Sequence, residues 1–189
     1  GTMFGSDHYG MKPDLITIAK GLTSAYAPLS GVIVGEKVWE GLVKGSDSMG
    51  PIGHGWTYSA HPLCAAAGVA NLELIDELGL VGNAREVGAY LNAGLRDALA
   101  DHHHVGEVRG DGMLAAVEFV ADKDDRVFFD PARKIAPQLA AAMLERGVIG
   151  RAMPQSDIIG FAPPLCLTKA EADTVIAAMA GAVEDVFGR

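Results

Sequence analysis

The residue with the clearest chemical potential is Lys20, which follows the apolar run 15–19 and precedes Gly21. This run is rich in β-branched residues and predicts a buried strand. A side chain at a strand end of an α/β fold faces the crevice where ligands bind. Partial burial there would favour the neutral amine, which is a usable nucleophile or Schiff-base former. A solvated lysine at a strand terminus is the alternative interpretation.

The second candidate is the segment 53–59, in which Gly53 and Gly55 precede Thr57, Tyr58 and Ser59. Glycines let backbone N–H groups approach a ligand closely. A helix is predicted over 59–78, and the first turn of a helix favours anions such as phosphate. Phosphate binding at Thr57 is therefore one interpretation. Capping of the helix by a hydroxyl side chain of this segment is the other.

Arginine and histidine side chains form the remaining polar candidates. Arg151 follows the apolar run 148–150 and could hold a substrate carboxylate with its planar guanidinium, or form a surface ion pair. His54 and His61 lack supporting carboxylates, so no metal site is predicted from them. The run 102–104 at a helix end is better explained by interaction with the helix dipole. The sequence contains no dinucleotide fingerprint or P-loop.

Strands and helices alternate along the chain, which predicts an α/β first part and an α+β second part. The helix 59–78 joins the two parts, and a long glycine-containing loop is expected over 44–57. The predicted strands are 15–19, 31–35, two within 105–121 around Gly110–Gly112, 148–151 and 157–161. The other predicted helices are 36–43, 81–100, one that starts at Asp130–Pro131 and ends at Gly147, and one that starts at the capping box of Thr168 and Glu171 and ends near 187.

Composition limits the classes of function. The 189 residues are 49% hydrophobic and 21% charged, which excludes extended disorder. The formal charge of −9, from 24 acidic and 15 basic side chains, disfavours nucleic acids and anionic membranes as partners. No apolar run is long enough for a membrane-spanning helix. Cys64 and Cys166 do not form a CxxC pair, and this usage predicts a reducing, cytoplasmic location.

Several segments together resemble the class III pyridoxal-phosphate-dependent aminotransferases, over essentially the whole chain. Within that family the sequence is most similar to ω-aminotransferases that use pyruvate with amines or β-alanine. The segments are Met3–Gly5, Lys12–Leu15, the strand into Lys20–Leu22, Pro28–Gly31, His54–Pro62 and Arg109–Met113.

The resemblance implies a PLP-dependent transferase fold of type I. Residues 1–80 would be the C-terminal part of the large domain with its connecting helix, and residues 81–189 the small α+β domain. Lys20 matches the lysine that forms a Schiff base with pyridoxal 5'-phosphate and then moves a proton. Thr57 matches the threonine that reaches the cofactor phosphate across a homodimer interface. Arg151 lies where related enzymes bind substrate carboxylates.

The family also has a long N-terminal portion that this sequence does not match, including the aspartate that pairs with the pyridine nitrogen. The expected function is transfer of an amino group from an ω-amine or β-amino acid to pyruvate or a similar keto acid. Little activity is expected from the chain alone. The alternatives are another class III reaction, such as aminomutation or decarboxylation, and a non-catalytic fragment that dimerises.

Overall fold

The computed structural model describes residues 1–154 and 157–188. They form two compact units: residues 2–79, and residues 80–188 together with Gly1. The predicted division at residues 80 and 81 concerns the domains of the longer fold and stays a prediction. Within the described residues, no helix combines the length and the apolar character needed to cross a membrane.

The first unit contains a short helix α1 (Gly5–His8) and two antiparallel strands, β1 (Leu15–Ile18) and β2 (Gly31–Val34). Both strands lie where the sequence predicts them. The prediction that they are buried is wrong for this chain, since Leu15 is 52% exposed and Val32 is 56% exposed. Among the described residues of this unit, the sheet has only two strands and no layer that covers these side chains.

The following helix, α2 (Glu36–Met49), is longer than the predicted 36–43. It continues through Gly41 and Gly45, because a helix tolerates glycine at a modest cost in free energy. It ends at Gly50, whose φ of 83° is a conformation that glycine adopts without strain. The glycine-containing loop is therefore shorter than expected.

Helix α3 (Pro62–Glu77) begins later than the predicted residue 59. Residues 57–60 form a turn instead, and Ala60 has a left-handed φ of 54°. Proline at the first helical position explains the start, since its fixed φ suits a helix and its missing N–H is not needed there. The predicted stop is confirmed: the helix gives way to Gly79, with a φ of 60°.

The second unit is a four-stranded antiparallel sheet packed against three helices, in the strand order β3-β4-β6-β5. Its elements are α4 (Leu80–Leu99), β3 (Val105–Asp111), β4 (Leu114–Phe119), α5 (Ile135–Glu145), β5 (Arg151–Ala152), β6 (Asp157–Phe161) and α6 (Lys169–Phe187). The predicted apolar stripe of α4 is confirmed, because Val87, Leu91, Leu95 and Leu99 are all buried in the core.

Helix α4 and the β3–β4 turn approach each other without space for a side chain. A methyl group at Gly88 would lie 2.2 Å from the carbonyl oxygen of Gly112. Asn92, one helical turn further on, donates from Nδ2 to the carbonyl oxygens of Gly88 at 2.9 Å and Gly112 at 3.0 Å. This buried amide therefore ties the helix to the hairpin.

The predicted helix start at Asp130–Pro131 is wrong by one turn. The Asp130 carboxylate does accept a hydrogen bond from the Ala132 N–H at 2.9 Å, but it caps a single 3₁₀ turn. Lys134 then has a left-handed φ of 51°, and α5 begins at Ile135.

The predicted strand 148–151 is reduced to the two residues of β5. Gly147 has a φ of 78°, and the Val148 N–H donates to the carbonyl oxygen of Met143 at 3.1 Å. This residue therefore satisfies a free carbonyl at the end of α5 and is not available for strand pairing.

The capping box at the start of α6 is confirmed. The Glu171 N–H donates to Thr168 Oγ1 at 3.3 Å, and the Glu171 carboxylate accepts from the Thr168 N–H at 2.8 Å. These hydrogen bonds from Thr168 lower the pKa of Glu171 below its ordinary value of 4.5. The charged carboxylate therefore stabilises the folded state.

This capping box predicts a pH-dependent effect of Glu171→Gln. A depressed folded-state pKa contributes stability above the unfolded-state pKa, and that stability is lost as the pH falls through the folded-state pKa. The variant is therefore expected to unfold at lower denaturant concentration than the native chain at neutral pH. The difference should shrink as the pH drops below about 4.5. Urea unfolding at several pH values tests this, and a difference that is constant down to the acid range would contradict it.

Candidate functional site

Strand β1 leads directly to Lys20, as the sequence predicts. Lys20 is the first residue of a single 3₁₀ turn that ends at Leu22. The expected partial burial is absent from this chain, because the side chain is exposed. Its ammonium group has no acidic partner within residues 1–154 and 157–188. The Lys20 side chain is therefore accessible to a molecule that binds beside β1.

The backbone around Lys20 is strained. Lys20, Ser24 and Ala25 have φ values of 54°, 49° and 64°, all in the left-handed region. Each such residue costs roughly 1–2 kcal/mol relative to a right-handed conformation. A cluster of this kind persists only where surrounding contacts determine it, and such clusters are typical of functional sites.

Two residues anchor this loop, which we call the lysine loop and define as residues 20–26. Thr23 is only 2% exposed, and its hydroxyl donates to the carbonyl oxygen of Ala27 at 2.6 Å. Asn71, on α3, donates from Nδ2 to the carbonyl oxygens of Gly21 at 2.9 Å and Leu22 at 3.2 Å. The sequence analysis missed Asn71. Its one available signal was a polar residue of low helix propensity between Ala70 and Leu72.

Four small residues, 65–68, bring helix α3 close to the chain around the lysine loop. A methyl group at Gly68 would lie 2.8 Å from Leu29 Cδ2 and 3.8 Å from the Leu22 carbonyl oxygen. Gly68 is the buried residue of α3. The absence of a side chain at Gly68 therefore permits this close approach.

Thr57 lies in the exposed turn 57–60, five residues before the first residue of α3. The expectation that it stands at the helix start is wrong, because His61 is the N-cap residue and gives no side-chain cap. Capping by Ser59 is also absent: its hydroxyl accepts from the Trp56 N–H at 3.0 Å and so closes the turn. Any phosphate site at Thr57 would use this turn and the threonine hydroxyl, not the first turn of α3.

Arg151 is the exposed first residue of β5, in the second unit, whereas Lys20 and Thr57 belong to the first. Its strand pairs with β6 through Gly160. No ion pair joins Arg151 to an acidic side chain in the described part of the chain, so the structural surface pair considered from sequence is absent there.

The candidate histidine side chains contact aromatic rings or are buried, as residues with a structural role do. His54 contacts Trp56 edge-on, and His61 Nδ1 is buried without a hydrogen-bond partner. His102 and His104 pack on Phe187. Burial lowers the pKa of His102, so the neutral ring is favoured over the cation expected at a helix end.

In the Arg109–Asp111 segment, the charged side chain of Arg109 likewise has a structural role. Arg109 lies in β3 and pairs with Glu107 at 2.6 Å and with Glu118 at 2.5 Å. The hydrogen bond that the Arg109 guanidinium donates to the Glu118 carboxylate is the largest cause of the raised pKa of Arg109. The turn itself falls at Gly112, whose φ is 54°.

The donor groups of the first unit suit pyridoxal phosphate in two respects. Lys20 offers an exposed primary amine on a constrained backbone, which matches an aldehyde. Thr57 offers an exposed hydroxyl in a turn, which matches a phosphate oxygen. The groups expected to hold the pyridine ring belong to the portion that the sequence does not match.

The chain resembles known proteins across almost its whole length. The family model "Aminotransferase class-III" matches residues 1–183. A diaminobutyrate–2-oxoglutarate transaminase of Halomonas elongata is 59% identical over 186 residues, which is 98% of this chain and 40% of that protein. The mitochondrial gamma aminobutyrate transaminase 1 of Solanum lycopersicum is 35% identical over 93% of this chain and 34% of that protein.

Solved structures agree with these relatives. A thermostable (S)-enantioselective omega-transaminase from Thermomicrobium roseum has a TM-score of 0.88 at 41% identity and is matched over 98% of this chain and 40% of that one. The mixed helices and sheets are those of a fold type I fragment, as the resemblance predicted. The chain thus spans well under half the length of these proteins. Since the family match extends over nearly every residue, the chain belongs to the class III aminotransferases.

Proposed function

We propose that this chain carries the reactive lysine of a pyridoxal-phosphate-dependent enzyme that transfers an amino group from a donor amine to a keto acid. The observation that carries the proposal is the exposed Lys20 amine, held on a left-handed backbone at the end of β1. Membership of the class III aminotransferases supports it.

Each candidate residue has a distinct role in this proposal. Lys20 Nζ would hold the cofactor through its aldehyde group, and its amine would move a proton at the substrate carbon. The Thr57 hydroxyl donates to the cofactor phosphate. The Arg151 guanidinium holds a substrate carboxylate through two parallel N–H donors. The bound cofactor supplies an electron sink for the substrate carbon.

The donor class follows from the relatives. The names of these relatives include diaminobutyrate and gamma aminobutyrate, both of which carry an amino group at the end remote from a carboxylate. We infer a donor of this kind, an ω-amine or β-amino acid, with pyruvate or 2-oxoglutarate as acceptor. The protein would act as a homodimer, in which Thr57 reaches the site of the partner. A different class III reaction on the same lysine is the second candidate.

Reductive labelling tests the proposal. The chain is incubated with pyridoxal phosphate, reduced with borohydride, and digested so that the modified lysine is identified by mass. Selective labelling of Lys20 over the six other lysines would support the role of Lys20. Labelling that is absent or scattered would refute it for this chain and favour a non-catalytic fragment.

Substrate tests separate the reaction classes. The assay supplies gamma aminobutyrate or diaminobutyrate with and without pyruvate or 2-oxoglutarate, and follows amino-acid formation from the keto acid. Transamination requires the acceptor, whereas decarboxylation or aminomutation proceeds without it. Because this chain is expected to have little activity alone, the assay applies to a longer protein that contains it.

A further inference from the structure

One amide side chain, that of Asn71, makes three contacts with the lysine loop. Its Nδ2 donates to the carbonyl oxygens of Gly21 and Leu22, at 2.9 and 3.2 Å. Its Oδ1 accepts from the Ser24 hydroxyl at 2.7 Å. The residues joined in this way are about fifty positions apart in sequence, at separations of 47 to 50. Asn71 therefore links α3 to the turn that follows Lys20.

Three of the backbone hydrogen bonds within the lysine loop are long, whereas that from the Tyr26 N–H to the Thr23 carbonyl oxygen has an ordinary length of 3.0 Å. The N–H groups of Thr23, Ser24 and Ala25 reach carbonyl oxygens of Lys20 or Gly21 at 3.2 to 3.4 Å. These distances lie at or beyond the long end of the usual range. Three left-handed residues add strain to the same segment. Side-chain hydrogen bonds, from Thr23 within the loop and from Asn71 outside it, therefore support this conformation.

Helix α3 is a rigid support for this contact. Gly68 and Asn71 are three residues apart and share one face of the helix. Gly68 approaches so closely that an added methyl group would lie 2.8 Å from Leu29 Cδ2. Close packing at Gly68 therefore keeps this face of the helix, and with it Asn71, beside the chain that carries the lysine loop.

We propose that Asn71 is a positioning residue for Lys20: its amide holds the strained turn so that the reactive amine remains in one place. The inference rests on the proposed function, in which Lys20 binds the cofactor. Only an amide donates to two carbonyl oxygens and accepts from a hydroxyl at the same time, and it does so independently of pH. A carboxylate at this position could accept from Ser24 but would face two carbonyl oxygens without a proton to donate.

The test compares Asn71→Asp with a matched control, Asn83→Asp. Asn83 is also a helical asparagine that donates to two carbonyl oxygens, those of Leu165 at 2.7 Å and Leu167 at 3.0 Å, but it belongs to the second unit. Ser24→Ala, which removes a single exposed hydrogen bond, serves as a milder variant if Asn71→Asp fails to fold.

Two measurements are made on the whole chain. Amide exchange of residues 22–26 is expected to accelerate about tenfold in Asn71→Asp, the change that loss of one neutral hydrogen bond produces. The circular dichroism that bound pyridoxal phosphate acquires in its visible band should also fall, because a mobile amine no longer holds the cofactor asymmetrically. Ser24→Ala should change both readouts in the same direction by less, and Asn83→Asp should change neither.

The outcomes separate the two proposals. If native Lys20 is not labelled by pyridoxal phosphate and borohydride, the proposed function is refuted and this inference falls with it. If Lys20 is labelled, but exchange and dichroism are the same in Asn71→Asp as in the native chain, only the role of Asn71 is refuted. An equal loss of dichroism in Asn83→Asp would also refute it, since the effect would then be general destabilisation.

Discussion

Gly88→Ala is expected to lower the free energy of unfolding of the second unit by about 2–3 kcal/mol, as insertion into a packed region does. The new methyl group would lie 2.2 Å from the oxygen and 2.3 Å from the carbon of the Gly112 carbonyl. Both atoms are backbone, so no rotamer change relieves the clash. Relief requires α4 and the β3–β4 turn to separate, which would break the hydrogen bonds of Asn92 to both elements.

Two other glycines of α4 provide matched controls. A methyl group at Gly82 meets no atom within 4 Å, so Gly82→Ala should be neutral or stabilise by up to about 1 kcal/mol through helix propensity. At Gly94 the methyl group would lie 2.3 Å from Ile176 Cδ1, the end of a side chain that can rotate, so an intermediate loss is expected. Denaturant-dependent amide exchange of α4 measures all three variants. Equal stability of the Gly88 and Gly82 variants would contradict the prediction.

Lys20→Arg is expected to abolish reductive labelling at position 20. Arginine keeps the positive charge and much of the length of lysine, and it is tolerated wherever an exposed lysine serves only for solvation. Its guanidinium stays protonated and offers no amine to an aldehyde. Peptide mass mapping after borohydride reduction should therefore show only background at the other lysines.

Lys37→Arg is the control for this experiment. Lys37 is exposed at the start of α2 and lies 3.7 Å from the Asp14 carboxylate, so its replacement should leave labelling of Lys20 unchanged. Secondary structure should be the same in both variants. If Lys20→Arg is labelled to the same total extent as the native chain, the modification is nonspecific and Lys20 has no special reactivity.

Helix faces and helix ends could be predicted where the sequence signal involves only residues that are close together in the chain. The stripe Val87, Leu91, Leu95 and Leu99 predicts α4 because apolar residues at helical spacing form one buried face. The capping box at Thr168 predicts the start of α6 because its two hydrogen bonds involve only neighbouring residues. The glycines at 79 and 147 mark helix ends through left-handed backbone that other residues rarely adopt.

The predicted helix starts are wrong where contacts with residues outside the local sequence, or the backbone conformation of a neighbouring residue, override the local capping signal. Asp130 caps a turn as expected, but left-handed Lys134 interrupts the helix before it begins at Ile135. The Ala136 N–H near that start is satisfied instead by the Asp157 carboxylate, which is distant in sequence. Helix α3 was likewise expected to begin at residue 59, yet it begins at Pro62.

The candidate site also combines features that depend on local sequence with features that depend on distant contacts. The place of Lys20 after β1 could be predicted because a strand end followed by glycine is visible in a few consecutive residues. Asn71 could not, because its role depends on α3 packing beside the lysine loop, and nothing within the helix reports that contact. The exposure of β1 and β2 could not be predicted either, since an apolar strand has the same sequence whether or not a second layer covers it.

At position 20 the left-handed backbone favours glycine, whereas the proposed amine chemistry needs lysine. A glycine there would adopt the φ of 54° freely, and the chain would gain about 1 kcal/mol of stability. Selection for thermal resistance alone would therefore replace the lysine, whereas the proposed amine chemistry requires it. Libraries built from this chain should hold position 20 constant and seek their gains elsewhere, for instance at glycines whose surroundings are open.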